Sequence, residues 1–108
     1  MSDKIVYLNS DNFSDEVEKY SGVVLVDFYA DWCGPCRMLA PVIEQLANEY
    51  AGRAKICKIN TDDAQSIAYK YQISGIPTVI LFKNGKIVET IVGFRPKEHY
   101  SKILSANL

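Results

Sequence analysis

At 108 residues, with 48% hydrophobic and 23% charged side chains, the chain fits one globular domain, residues 1–108, able to bury a core without structural staples. A net charge of −1 and a pI near 5.8, with Lys and Arg scattered along the chain, leave no electrostatic footprint for nucleic acid. The apolar start is broken early by Asn9 and Ser10, too short for a signal-peptide core, and nothing later approaches a membrane span, so a cytoplasmic protein is expected.

Residues 5–8 read as a short strand. Phe13, Val17 and Tyr20, at i, i+4 and i+7, mark a first helix entered through Asn9-Ser10-Asp11 and left at Gly22. Residues 23–30 are apolar on both faces and rich in β-branched and aromatic side chains, as in a strand buried mid-sheet. Leu39, Val42, Ile43, Leu46, Ala47 and Tyr50 then form one stripe of a long helix from about residue 33 to 50. Pro41 lies inside it, and its missing N–H predicts a kink. Residues 54–60 read as a third strand, and Ala64, Ile67, Ala68 and Tyr71 as a shorter helix capped by Thr61, Asp62 and Asp63. Two apolar runs, 78–82 and 87–92, flank Lys83-Asn84-Gly85-Lys86, a strong hairpin signal. Tyr100, Ile103, Leu104 and Leu108 make a last helix with Pro96 in its first turn. The order βαβαβαββα predicts parallel pairings first, an antiparallel hairpin at the end, and helices on both faces.

The residues that carry chemistry stand where the central strand hands over to the long helix: Trp32-Cys33-Gly34-Pro35-Cys36-Arg37. Cys33 falls at or beside the helix N-terminus, where unpaired N–H groups and the positive end of the dipole favour a thiolate. From helical rise and radius, cysteines three apart have Cα atoms about 5 Å apart, within the disulfide range. Closing so short a loop stabilises a fold by only about 2 kcal/mol, which makes a weak staple and a plausible redox switch. Inert thiols would not need Gly-Pro between them or Trp32 beside them. A zinc site would need a second ligand pair, and only Cys57 and His99 remain, on elements distant in sequence. Cys33, nearer the helix end and expected to be more exposed, reads as the nucleophile; Cys36, one turn deeper, reads as the resolving thiol. Cys57 reads as a small hydrophobe buried on its strand, and His99 as a solvated side chain. Asp27 is a carboxylate in an otherwise apolar strand. It either reaches solvent at a sheet edge or is a buried acid with a raised pKa.

Asp27, Trp32-Cys33-Gly34-Pro35-Cys36, Pro41, Lys58-Ile-Asn-Thr-Asp62, Gly75-Ile76-Pro77-Thr78, Lys83-Asn84-Gly85 and Gly93 together resemble the thioredoxin family over residues 3–107. The resemblance is to the bacterial type rather than to a disulfide isomerase or a periplasmic oxidase. It implies an α/β thioredoxin fold, a three-layer α/β/α sandwich around a mixed five-stranded sheet. It also implies a general protein-disulfide reductase in which Cys33 attacks and Cys36 resolves. The expected partners are disulfide-containing target proteins and a thioredoxin reductase, most commonly an NADPH-dependent flavoenzyme. No cofactor, metal, nucleic acid or membrane is expected, and the chain should be a monomer.

The same resemblance assigns further roles. Asp27 should lie near Cys36 and take and return its proton, usually through a water, with Lys58 on the neighbouring strand tempering its pKa. The Ile76–Pro77 bond should be cis and pack against the dithiol, offering the Ile76 backbone to an extended substrate. Trp32, Gly34, Gly75, Ile76, Gly93 and Phe94 should form a flat apolar docking rim. Pro35, counted with the docking residues, belongs to the dipeptide that sets redox poise, Gly-Pro going with the reducing end. Three departures stand out. Tyr29 replaces a frequent second tryptophan, Gln72 replaces a glycine, and Arg95-Pro96 replaces a Ser-containing start to the last helix. A left-handed Gln72 would cost about 1 kcal/mol. The rival readings are an oxidase or isomerase with reversed electron flow, and a redox-independent scaffold using the same rim.

Overall fold

The apolar run around Asp27 becomes the middle strand of a five-stranded sheet in the computed structural model, which describes residues 3–108. Met1 and Ser2, the start of the segment weighed against a signal peptide, lie outside the described residues. In chain order the elements are β1 (Ile5–Leu8), a π-helical turn (Ser14–Glu18), β2 (Val23–Tyr29), α1 (Gly34–Glu49), β3 (Lys55–Asn60), α2 (Gln65–Lys70), β4 (Thr78–Lys83), β5 (Lys86–Val92) and α3 (Lys97–Asn107). The strands lie in the order β1-β3-β2-β4-β5, with β1–β3 and β3–β2 parallel and β2–β4 and β4–β5 antiparallel. This is the mixed sheet expected of the thioredoxin fold.

Successive strand residues face opposite sides of a sheet, and β2 uses both. Val23 and Leu25 pack with Leu39, Ile43 and Leu46 of α1 and with Tyr100 and Leu104 of α3. Val24, Val26 and Phe28 pack on the other side with Phe13, Val17, Ala64 and Phe82. By the same alternation Asp27 faces the α1/α3 layer. Full burial of one such Leu, Ile or Phe contributes about 1.5–3 kcal/mol. A one-residue slip of β2 would turn Asp27 into the Phe-rich layer and expose these contacts to mismatch, so the register is strongly specified.

The β4–β5 turn has positive φ at both central residues, 53° at Asn84 and 80° at Gly85, as a two-residue hairpin of this hand requires. Glycine is needed at the second position for another reason. A Cβ on Gly85 would lie 2.2 Å from the Glu18 carbonyl oxygen, where the hairpin meets the π-helical turn. Asn84 also fastens the hairpin to the start of β2: its Oδ1 accepts from the Gly22 N–H at 2.8 Å, and its own N–H donates to the Gly22 carbonyl at 2.9 Å.

Several local expectations are corrected. The first helix is only a five-residue π-helical turn, closed by the Lys19 N–H donating to the Ser14 carbonyl. Its apolar anchors are Phe13 and Val17 alone, because Tyr20 is 38% exposed with the Lys55 ammonium 3.6 Å from its ring centre. Two anchors one turn apart bury too little to hold a longer helix. Helix α2 is capped by Ala64, with no side-chain cap, since Thr61 donates to the Tyr29 carbonyl and Asp62 accepts from Trp32. Pro96 is the N-cap of α3, with extended ψ of 160°, so the helix begins one residue later than expected. Leu108 lies past the end of α3 and is 51% exposed, outside the expected stripe. Pro41 does lie inside α1, as expected.

Gln72 does take the left-handed conformation, with φ of 56°. It closes α2 in a Schellman arrangement: its N–H donates to Tyr69, and the Ile73 N–H donates to Ala68. Those two bonds hold a strained residue that costs about 1 kcal/mol.

Candidate active site

Strand β2 ends at Tyr29, and the chain turns through Ala30, Asp31 and Trp32 into α1. Cys33 is the N-cap of that helix, with extended backbone (φ −87°, ψ 112°), and Pro35 stands in the first turn, where no donor is lost. The Cys36 N–H donates to the Cys33 sulfur at 3.2 Å, so a helix-end donor is already aimed at the atom that would carry negative charge. The cysteines form a disulfide with Cα atoms 5.2 Å apart, in line with the helical estimate. The Cys33 sulfur also lies 3.7 Å from the Ile76 carbonyl oxygen, across the cleft to the β4 approach.

The expected exposure contrast is not found. Cys33 is 5% and Cys36 4% exposed, because the Ile76 segment covers Cys33 from the side. What separates the two thiols is position: Cys33 caps the helix, while Cys36 lies inside it. Cys36 opens instead onto a cavity of about 340 Å³ lined also by Tyr29, Ala30, Asp31, Arg37, Ala40 and Lys58.

Asp27 is 1% exposed on the central strand, which excludes the edge-strand reading. Neither carboxyl oxygen has a hydrogen-bond partner among the described residues. Burial raises its pKa from the ordinary 3.8 to about 7, and the Lys58 charge pulls the other way. Lys58 stands directly opposite Asp27 in the β2–β3 register, with its ammonium 4.5 Å from the Tyr29 ring centre. Tyr29 thus gives Lys58 a π face to rest on, a contact the sequence did not disclose. Cys57, on the same strand, is fully buried, and burial pushes its thiol up to about 12, so it stays protonated and inert.

Around the disulfide the structure gathers most of the expected rim. Trp32 is 69% exposed and its indole N–H donates to Asp62 at 2.9 Å, which fixes the ring beside Cys33. Trp32, Gly75 and Ile76 line a groove of about 170 Å³ together with Thr61, Ile73 and Ser74. The Ile76–Pro77 bond is cis, as the resemblance implied, and Pro77 is buried. The Gly93 N–H donates to the Pro77 carbonyl at 2.8 Å, joining the Gly93-Phe94 segment to the same surface. Phe94 is exposed there, and so is Val92, which sequence reading left out. Gly34 faces open space, its nearest foreign atom being the Arg37 guanidinium at 4.0 Å. Asp62 is the other omission. Its capping signature hid the role of orienting Trp32.

A helix-capping sulfur whose partner sits one turn further along the same helix can open and close its bond without rebuilding the fold. That chemistry defines a thiol–disulfide oxidoreductase. The family model for thioredoxin matches residues 4–106. Thioredoxins of Staphylococcus aureus (strain Mu50) and Staphylococcus saprophyticus are 49% and 47% identical to the chain over 104 residues, covering 96% of it and 98% of their own lengths. The thioredoxin of Staphylococcus epidermidis (strain ATCC 12228) is 48% identical over the same extent. The chain belongs to the thioredoxin family, whose members act on disulfide-containing substrates and are recycled by a reductase.

Proposed function

We propose that the chain, a single domain over residues 1–108, is a general protein-disulfide reductase and electron carrier of the cytoplasm, acting as a monomer. The Cys33 thiolate attacks one sulfur of a substrate disulfide, forming a mixed disulfide as the other substrate sulfur leaves as thiolate. Cys36 gives its proton to the Asp27 carboxylate and attacks the Cys33 sulfur. The second substrate thiolate leaves and takes the proton back from Asp27, and the first takes from solvent the proton that Cys33 released on ionising. The substrate gains two electrons and two protons, and the chain is left with the Cys33–Cys36 disulfide. A thioredoxin reductase, NADPH-dependent in the simplest case, restores the dithiol.

The observation that carries this reading is the Cys36 N–H aimed at the Cys33 sulfur at the mouth of α1. It stabilises charge on Cys33 and not on Cys36. Lys58, opposite Asp27, moderates the acid, and the Trp32, Gly34, Pro35, Gly75, Ile76, Pro77, Gly93 and Phe94 surface receives an extended substrate segment. The test is covalent trapping. Cys36→Ser should accumulate a stable mixed disulfide on Cys33, read by mass spectrometry, whereas Cys33→Ser should form none. Stable adducts on Cys36 in the Cys33→Ser protein would reverse the assignment.

A further inference from the structure

We propose that Arg95 is a specificity-determining residue of the docking surface: its guanidinium receives a carboxylate side chain of the substrate, so disulfides flanked by an acidic residue react fastest. The inference rests on the reading of that surface given above and adds the chemical class of segment it prefers.

A short path leads from the reacting sulfur to this cation. The Cys33 sulfur lies 3.7 Å from the Ile76 carbonyl oxygen, and Pro77 follows in cis linkage. The Pro77 carbonyl accepts from the Gly93 N–H at 2.8 Å. A Cβ on Gly93 would stand 3.5 Å from a guanidinium nitrogen of Arg95. So the cation covers a glycine about 4.8 Å, one strand spacing, from the Pro77 backbone. A substrate extended along Ile76 advances about 3.3 Å per residue, and a side chain one or two residues from its cysteine reaches Arg95.

The cation is held in place and unspent. Pro96 follows it and disfavours helical backbone at Arg95, and the Arg95 Nη1 donates to the Phe94 carbonyl at 2.9 Å. That bond uses one guanidinium donor and leaves others for a carboxylate. Among the described residues no carboxylate lies within ion-pair distance of Arg95; Glu49 pairs with Lys97 instead, and Glu98 makes no ion pair with Arg95.

The opposite flank has the reverse sign. The sheet order β3-β2-β4-β5 puts the residues after β3 and those after β5 on either side of the dithiol, which follows β2. After β3 come Asp62, bonded to the Trp32 indole, and Asp63, both exposed; after β5 comes exposed Arg95. The other cation beside the rim is Arg37 of α1, which donates to the Asp31 carbonyl. A substrate acid is therefore attracted at Gly93 and repelled at Trp32. Complementary charge of this kind acts chiefly on productive encounter and on register.

The experiment uses symmetric disulfides of one short peptide carrying Glu, Gln or Lys two residues before or two residues after its cysteine. Each reacts with the reduced protein in single turnover, read by mass spectrometry after acid quench. For one of the two placements, the Glu peptide should react about three- to fivefold faster than the Gln peptide, and the Lys peptide slowest. Roughly 0.5 M salt should shrink the difference. Arg95→Gln should erase the ranking and Arg95→Lys should keep most of it, whereas a merely structural role would slow all three peptides alike. Equal rates, an equal gain at both placements, or a gain that survives Arg95→Gln would overturn the proposal; survival there with loss in Arg37→Gln would give the role to Arg37. Exchange started from the oxidised protein and the peptide dithiols reads the same preference. A chain that proves to oxidise its targets would thus keep this inference while losing the reductase reading.

Discussion

Replacing Asp27 with alanine should make the oxidised protein more stable and its chemistry slower. Burial holds the folded carboxyl near pH 7, against 3.8 for an ordinary aspartate. That gap of about 3 units, at about 1.36 kcal/mol each, is roughly 4 kcal/mol. The sign follows from proton counts. Between the two values the folded state keeps a proton that the unfolded chain has released. Folding is therefore unpenalised in acid, increasingly penalised as pH rises from 3.8 toward about 7, and fully penalised above it. Alanine removes this penalty and leaves a small void that costs about 1 kcal/mol. The variant should thus gain about 3 kcal/mol at about pH 8 and lose about 1 kcal/mol at about pH 3.5. Urea unfolding of both oxidised proteins at the two pH values measures this, alongside the rate of insulin disulfide reduction. A variant less stable at both pH values and equally fast would show Asp27 to be an ordinary structural acid.

Asp62→Ala frees the Trp32 indole and should raise KM for protein disulfides several-fold while leaving the rate with a small aromatic disulfide unchanged, as steady-state kinetics on both substrates would read. Gly85→Ala drives a Cβ into the Glu18 carbonyl at a positive φ and should destabilise the fold by about 2 kcal/mol or more, measured by urea unfolding, with the Cys33–Cys36 potential unmoved.

The sheet is legible in the sequence wherever local pattern and tertiary context agree. Residues 23–30 are apolar on both faces because β2 has a core on each side, and Asn84-Gly85 is among the dipeptides that most readily take the two positive φ values of this turn. The cysteine geometry was readable for the same reason: helical spacing alone sets the Cα separation. What escaped depends on contacts between distant segments. Asp62 has the composition of a cap, and only the return of the chain after β3 brings it to Trp32. Tyr20 fits a helical stripe but meets Lys55 at the surface. The near-equal cover of the two cysteines comes from Ile76, more than forty residues away, and no local pattern encodes it.

The central claim is that Cys33–Cys36 is a reversible, reducing couple. It is tested most directly by equilibrating the protein with graded dithiothreitol and glutathione buffers and counting free thiols after acid quench. The pair should stay oxidised in glutathione buffers of cytoplasmic composition and reach half-reduction only against the stronger dithiothreitol couple, with Cys57 silent throughout. Half-reduction by glutathione alone would make the protein an oxidant or isomerase and contradict the account.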